Sequence, residues 1–229
     1  MKAGWIVFIV LVVIFVLVVL ILLAPTFNYI IRETRKNNRF SHLHKKFTQE
    51  ERYEALGETF EFLKEAKLFE TVDVVLDWGT LLGIVRENDF IKHDYDVDMW
   101  VSVDDIGKVK DLLSTNQKAQ ERFVVEVTCP NKWLGAHDQV TVIDTKTGVH
   151  ADIDTRVKKS GFLCRGYYPR ILHNIQVSIP YSHRKVHVDM VYPLKEQEFR
   201  GAKVHLPNNA EEMLELYYDD WKTPQVYRE

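Results

Sequence analysis

The chain has 229 residues and a formal net charge of -3, which is enough length for one domain with a real core and no basic excess of the kind that nucleic-acid binding needs. Its 46% hydrophobic content is raised by an apolar N-terminus. Cys129 and Cys164 can pair or stay as thiols, but two cysteines make neither a disulfide framework nor a four-cysteine zinc site.

Trp5 to Leu23 carries no charge, and at about 1.5 Å per residue a helix there reaches roughly 30 Å, the thickness of a bilayer's hydrocarbon core. Residues 1–26 therefore read as a transmembrane signal anchor. A cleaved signal peptide fits less well, because the run exceeds a usual apolar region and Leu22-Leu23-Ala24-Pro25 is a poor cleavage site. Residues 27–46 follow as a basic juxtamembrane stalk, read as a solvated tether ahead of a lipid-binding patch. Arg32, Arg35, Lys36 and Arg39 lie after the span and only Lys2 before it, so the positive-inside rule places the rest of the chain in the cytosol.

One folded domain is expected over residues 47–229. Thr48 with Glu51 three residues on forms a capping box, and Leu56, Phe60, Leu63 and Phe69 make an apolar stripe, predicting a helix from about Thr48 to Lys67 packed on a sheet. Val72, Val74, Val75 and Leu76 predict a strand, Gly79-Thr80 a turn, and Leu81 to Val85 a short helix. Asp94, Asp96 and Asp98 then alternate with Tyr95, Val97 and Met99, the pattern of a second strand. Asp96 and Asp98 share one face, roughly 7 Å apart, while the other face is apolar.

Carboxylates that close repel one another unless a cation offsets them, and Mg2+ or Mn2+ is the hard, oxygen-seeking ion that suits them. An EF-hand is disfavoured, since the sixth position from Asp94 is Met99 where glycine is required and the twelfth is Asp105 in place of Glu. The bland alternative, a solvated acidic edge, loses ground only because of the Gly-Thr turn upstream.

Asp104-Asp105 predicts a cap for a helix over Ile106 to Leu113 with Val109, Leu112 and Leu113 inward. Phe123 to Val127 and Gln139 to Asp144 read as strands, and Lys146-Thr147-Gly148 as the turn of a hairpin into Val149 to Asp154. Asp152 and Asp154 share a face of that last strand. His183 and His187 lie four apart in a strand-like alternation, a poor zinc pair, and Asp189 beside them is an alternative inward carboxylate. Asn209, Glu212, Met213, Leu214, Tyr217 and Trp221 predict a capped C-terminal helix. Trp133, Tyr167, Tyr168, Tyr217, Tyr218 and Trp221 read as core packing, with a stacking floor for a base or a sugar as the functional alternative.

The fold class is α+β, a mixed sheet flanked by helices and preceded by one transmembrane helix. Two carboxylates on one strand, a further one on another strand and a Gly-Thr turn above them suit phosphoryl transfer, which asks mainly for positioning and charge neutralisation. Arg86, Lys92 and His93, between the turn and the acidic strand, are candidate phosphate contacts, against the plain reading of surface charges.

The run LDWGTLLGIVRENDFIKHDYDVDMWV resembles the signature of the LicD/fukutin family, a G-T-L-L-G segment followed by an acidic strand. The tail VYPLKEQEFRGAKVHLPNNAEEMLELYYDDWKTP is similar to that family's C-terminal pattern, so the resemblance spans about Tyr53 to Pro224. It implies a nucleotidyltransferase-type fold that moves a phospho-alcohol, of the phosphocholine or ribitol phosphate type, from a CDP-linked donor to a glycan hydroxyl. On that resemblance Asp96 and Asp98 hold Mg2+ or Mn2+, with Asp94 the first member of the acidic triplet. Asp152 is the third carboxylate, as metal ligand or general base, and Asp154 is its alternate. Gly79 and Thr80 stand at the donor phosphates. The animal branch implies a type II protein with its domain in the Golgi or ER lumen, opposite to the charge asymmetry. Two alternatives stay open: an inactive or accessory member that binds a glycan or a partner transferase, and a nucleotidyltransferase with another acceptor.

Overall fold

The computed structural model describes residues 4–20, 43, 46–116, 121–128, 137–165 and 185–224. Helix α1 (residues 4–20) exposes apolar side chains on every side, Trp5, Phe8, Leu11 and Phe15 among them. Among the described residues no helix is long and apolar enough to cross a membrane. The expected span runs on past residue 20, and its end, with nearly all of the stalk, lies outside the described residues.

Helix α2 (Gln49–Glu65) starts as its sequence dictates. Thr48 Oγ1 accepts the Glu51 amide at 3.2 Å and Glu51 Oε2 accepts the Thr48 amide at 2.8 Å, the two halves of the capping box. Its stripe of Leu56, Phe60 and Leu63 is fully buried. The ring of Phe60 meets those of Phe69, Phe199 and Phe90 at 4.7, 5.2 and 5.9 Å between centroids. Helix α3 (Leu68–Thr71) leads into β1 (Val75–Leu76), α4 (Trp78–Glu87), β2 (Asp96–Ser102) and α5 (Ile106–Ser114). Then follow β3 (Phe123–Thr128), β4 (Gln139–Asp144), β5 (His150–Lys159), β6 (Phe162–Arg165), β7 (Lys185–His187), α6 (Val188–Val191), β8 (Lys195–Phe199), β9 (Ala202–Leu206) and α7 (Ala210–Tyr217).

The strands form one mixed sheet in the order β3-β4-β5-β2-β1-β9-β8, with β6 paired to the far end of β5 and β7 to β6. One face, carrying Val97, Met99, Val101, Val140, Val142, Ala151 and Ile153, packs against α2, α3 and α5. The other face is split. Trp100 and Val75 meet Leu81 and Leu82 of α4 and Met213 and Leu214 of α7 in a second apolar cluster, and the remainder of that face carries the acidic residues. The β5–β6 hairpin turns on Ser160 and Gly161, both at positive φ of 49° and 80°, the conformation that a two-residue hairpin needs and that glycine adopts freely.

Several boundaries differ from the sequence pattern. The strand expected from Val72 is only two residues long, and Gly79-Thr80 lies in the first turn of α4. The alternation around His187 ends after three residues, where His187 caps α6, and Asp189 is exposed to solvent, not inward. His183, Trp133, Tyr167, Tyr168 and Cys129 lie outside the described residues. Helix α7 stops at Tyr217 because Tyr218 turns extended, so Trp221 is buried from the segment after the helix and not from its stripe. Strand β8 lacks a legible signal because charged side chains crowd it; it reads KEQEF and is mostly exposed.

Candidate active site

The site is built where β1 runs into α4. Strand β1 pairs antiparallel with β2, Val75 opposite Trp100 and Leu76 opposite Met99. The next residue, Asp77, continues the ladder, its amide donating to the Asp98 carbonyl at 3.1 Å. Thr80, one helical turn on, accepts the Asp98 amide on its hydroxyl at 2.9 Å. The D-W-G-T turn thus grips the peptide of Asp98 on both sides. Trp78 takes a φ of 43°, the left-handed region that costs a bulky side chain roughly 1–3 kcal/mol. Its ring stacks on Tyr217, with centroids 4.2 Å apart and planes 16° from parallel, and the Arg165 guanidinium lies 4.9 Å from its centroid.

Strand β5 lies parallel beside β2, with Asp96 opposite His150, Asp98 opposite Asp152 and Trp100 opposite Asp154. Residues opposite one another in a sheet share a face, so Asp96, Asp98, Asp152 and Asp154 converge on one side while Val97, Met99, Ala151 and Ile153 sink into the core. Asp152 is the immediate neighbour of Asp98. It accepts the Thr141 hydroxyl at 2.6 Å, and His150 Nε2 stands 3.9 Å from its other oxygen. Asp154 sits one pair further along, buried and bridged to Arg165 at 3.1 Å, and burial raises its carboxyl to about 6 against the lowering pull of Arg165 and Arg156.

Asp94 precedes β2 and turns its carboxylate onto Gly79, where a Cβ would come within 2.5 Å of Asp94 Oδ2. Glycine lets the carboxylate come that close; a Cβ there would require it to move aside. Burial, then the charge of Asp96, holds the Asp94 carboxyl well above the usual range. For Asp98 burial, then Asp96, then Asp152 acts in the same direction. The four side chains therefore share one electrostatic field. Among the described residues no three acidic, histidine or cysteine side chains stand as a ready-made metal shell. In chemistry the donor set still fits Mg2+ or Mn2+: it is all carboxylate oxygen, and the charge of Asp96 adds to the cost of ionising Asp94 and Asp98.

An open cleft of about 1070 Å3 covers this face, lined by Gly79, Asp94, Asp96, Asp98, Asp152 and Asp154 from the acidic side. Trp78, Arg165, Tyr217, Tyr218 and Trp221 form its other wall. Of the basic residues named from sequence, Arg86 and His93 line the cleft and Lys92 does not. Arg86 also holds the wall together, donating to the Trp221 carbonyl at 3.1 Å and pairing with Glu87 at 2.6 Å. Thr80 is buried and faces the strand.

Sequence patterning does not reveal the buried charges behind the turn. Arg156 is ion-paired with Asp77, and the Tyr217 hydroxyl donates to the other Asp77 oxygen at 2.8 Å. The parity of Arg156 with Asp152 and Asp154 puts it on the acidic face of β5. Nothing local says that β5 lies next to β2 and close to β1.

A family model described as LicD/FKTN/FKRP, nucleotidyltransferase domain, matches residues 71–209. No curated protein matches the chain. Among solved structures, a lincosamide antibiotic adenylyltransferase, LnuA, with lincomycin bound is similar at a TM-score of 0.37 and 16% identity, over 69% of this chain and 83% of that one. The family match ends before α7, so Tyr217, Tyr218 and Trp221 lie beyond it. With more than half of its length matched, including both acidic strands and the turn that grips Asp98, the chain belongs to the LicD/FKTN/FKRP nucleotidyltransferase-domain family.

Proposed function

We propose that the chain is a membrane-anchored, metal-dependent phosphotransferase that moves a phospho-alcohol of the phosphocholine or ribitol phosphate type from a CDP-linked donor to a glycan hydroxyl. The observation that carries this reading is the register of Asp98 against Asp152 beneath the D-W-G-T turn, within a cleft large enough for a nucleotide-linked donor. Asp96, Asp98 and Asp152 would hold Mg2+ or Mn2+, with Asp94 beside them; a bound cation would supply charge neutralisation for the donor diphosphate.

The chain's own groups do the rest. The acceptor hydroxyl oxygen attacks the phosphorus that bears the alcohol, the bond from that phosphorus to the CMP oxygen breaks, and CMP leaves with the electron pair. Asp152, in the role alternative to metal ligand, takes the hydroxyl proton, with Asp154 as its alternate. Arg86 and His93 border the cleft where phosphate charge would sit, with Lys92 in the same loop. Gly79 keeps the floor of the turn open.

The apolar circumference of α1 supports an anchor over residues 5–23, and the family's animal branch supports a type II orientation with the domain in the Golgi or ER lumen. Protease treatment of sealed microsomes tests it: digestion of the domain without detergent would overturn the luminal placement.

The activity test incubates the full chain in detergent with a panel of CDP-alcohols, Mn2+ and candidate glycans, and follows CMP release. Asp98→Asn and Asp152→Asn should each lower release by at least about a hundredfold. No release by the wild type with any donor, or undiminished release by Asp98→Asn, would sink the reading; an inactive, accessory member would show the first of these.

A further inference from the structure

We infer that Tyr217, acting through Asp77, is a positioning residue for Asp98, so that the C-terminal segment beyond the family-matched residues holds the central carboxylate in register. This rests on the reading above only in taking Asp98 as the centre of the site.

Asp77 stands at the N-cap of α4, where an aspartate ordinarily turns its carboxylate onto the first helical amides. Here the side chain makes no capping bond. Both oxygens are committed to distant partners: Oδ2 to Arg156 on β5 and Oδ1 to the Tyr217 hydroxyl on α7, the latter at 2.8 Å. Asp77 is 2% exposed, so a buried carboxylate oxygen without a donor would carry a substantial desolvation cost. The backbone of the same residue donates to the Asp98 carbonyl at 3.1 Å, and Thr80 in the same turn accepts the Asp98 amide at 2.9 Å. The side chain of Asp77 therefore decides where the backbone that clamps Asp98 lies.

Two arrangements compete for that carboxylate. With the Tyr217 hydroxyl present, Asp77 reaches outward to α7 and β5, and the turn stays against β2. Without it, Oδ1 loses its donor, and the amides at the start of α4, which the Asp77 side chain leaves uncapped, are substitute donors within the same turn. Capping there would draw Asp77 away from β2 and loosen the clamp on Asp98. The ring of Tyr217 has a separate part, its stack on Trp78, which phenylalanine would keep.

Tyr217→Phe in the full chain isolates the hydroxyl. Amide hydrogen exchange, read by mass spectrometry, compares the segment Asp96–Ser102 with the core strand Gln139–Asp144. Exchange over Asp96–Ser102 should quicken about tenfold while Gln139–Asp144 is unchanged, the size expected for losing one charge-assisted hydrogen bond. Where CMP release is measurable, kcat should fall about tenfold with the KM for donor nearly constant. Unchanged exchange over Asp96–Ser102 would overturn the inference. So would equal quickening of both segments, because general loosening is not positioning. Exchange is read without substrate, so an inactive wild type would count against the proposed function and leave this test standing.

Discussion

Asp98→Asn should make the protein more stable in the absence of metal while removing its activity. Asp98 lies beside Asp152 across the sheet and two residues from Asp96 along the strand. At an effective dielectric near 20, unit charges about 5 Å apart on neighbouring strands repel by about 3 kcal/mol, and those about 7 Å apart along one strand by about 2 kcal/mol. Much of that is already relieved, because burial and the charges of Asp96 and Asp152 hold the Asp98 carboxyl well above the usual range. A raised acid of this kind destabilises the fold at neutral pH, and the penalty fades as pH falls through its folded value. Solvent in the cleft screens the remainder, so the net gain expected is about 1–2 kcal/mol, or roughly 2–8 °C in Tm for a domain of this size. The assay is thermal unfolding of the full chain in EDTA and again with Mn2+. The wild type should gain stability from Mn2+ and Asp98→Asn should not. A variant no more stable than wild type in EDTA would refute the claim that these carboxylates share one field.

Three further outcomes follow from the geometry. Burial would raise the carboxyls of Asp144 and Asp89, but donors outweigh it: Arg122, the Thr147 hydroxyl and the Lys146 amide at Asp144, and Tyr53 and Arg200 at Asp89. Both folded values lie below the ordinary one, so the stability they contribute is present above about pH 4 and drains away as pH falls through the folded values. Urea midpoints measured down to about pH 2 should drop steeply in the wild type and less so in Asp144→Asn. Gly83→Ala would press a Cβ to 2.5 Å from the Asp89 carbonyl and 3.0 Å from the Ile91 amide, both backbone, and urea unfolding should show a loss of about 1–3 kcal/mol. Gly79→Ala meets only the Asp94 carboxylate, which can swing aside, so stability should change by less than about 1 kcal/mol while CMP release falls.

Local signals in the chain were sufficient for two of its elements, the start of α2 and the two faces of β2. The capping box of α2 is a contact between residues three apart, and it forms as written. The alternation in β2 separates Asp96 and Asp98 from Val97 and Met99 because a strand has period two wherever it lies. The same parity made Asp152 and Asp154 equivalent, and no local feature could choose between them. That choice belongs to the register of β5 on β2, which puts Asp152 beside Asp98 and Asp154 beside Trp100, against Arg165.

What the sequence alone determined, then, is which residues are acidic and which face of each strand they occupy. Tertiary structure decided which carboxylates are neighbours, that Arg156 and Tyr217 close on Asp77 from β5 and α7, and that Thr80 faces the Asp98 amide. The physical reason is range. Periodicity and capping act within one turn of helix or two residues of strand, whereas strand order and register are set by how whole elements bury their apolar faces against one another.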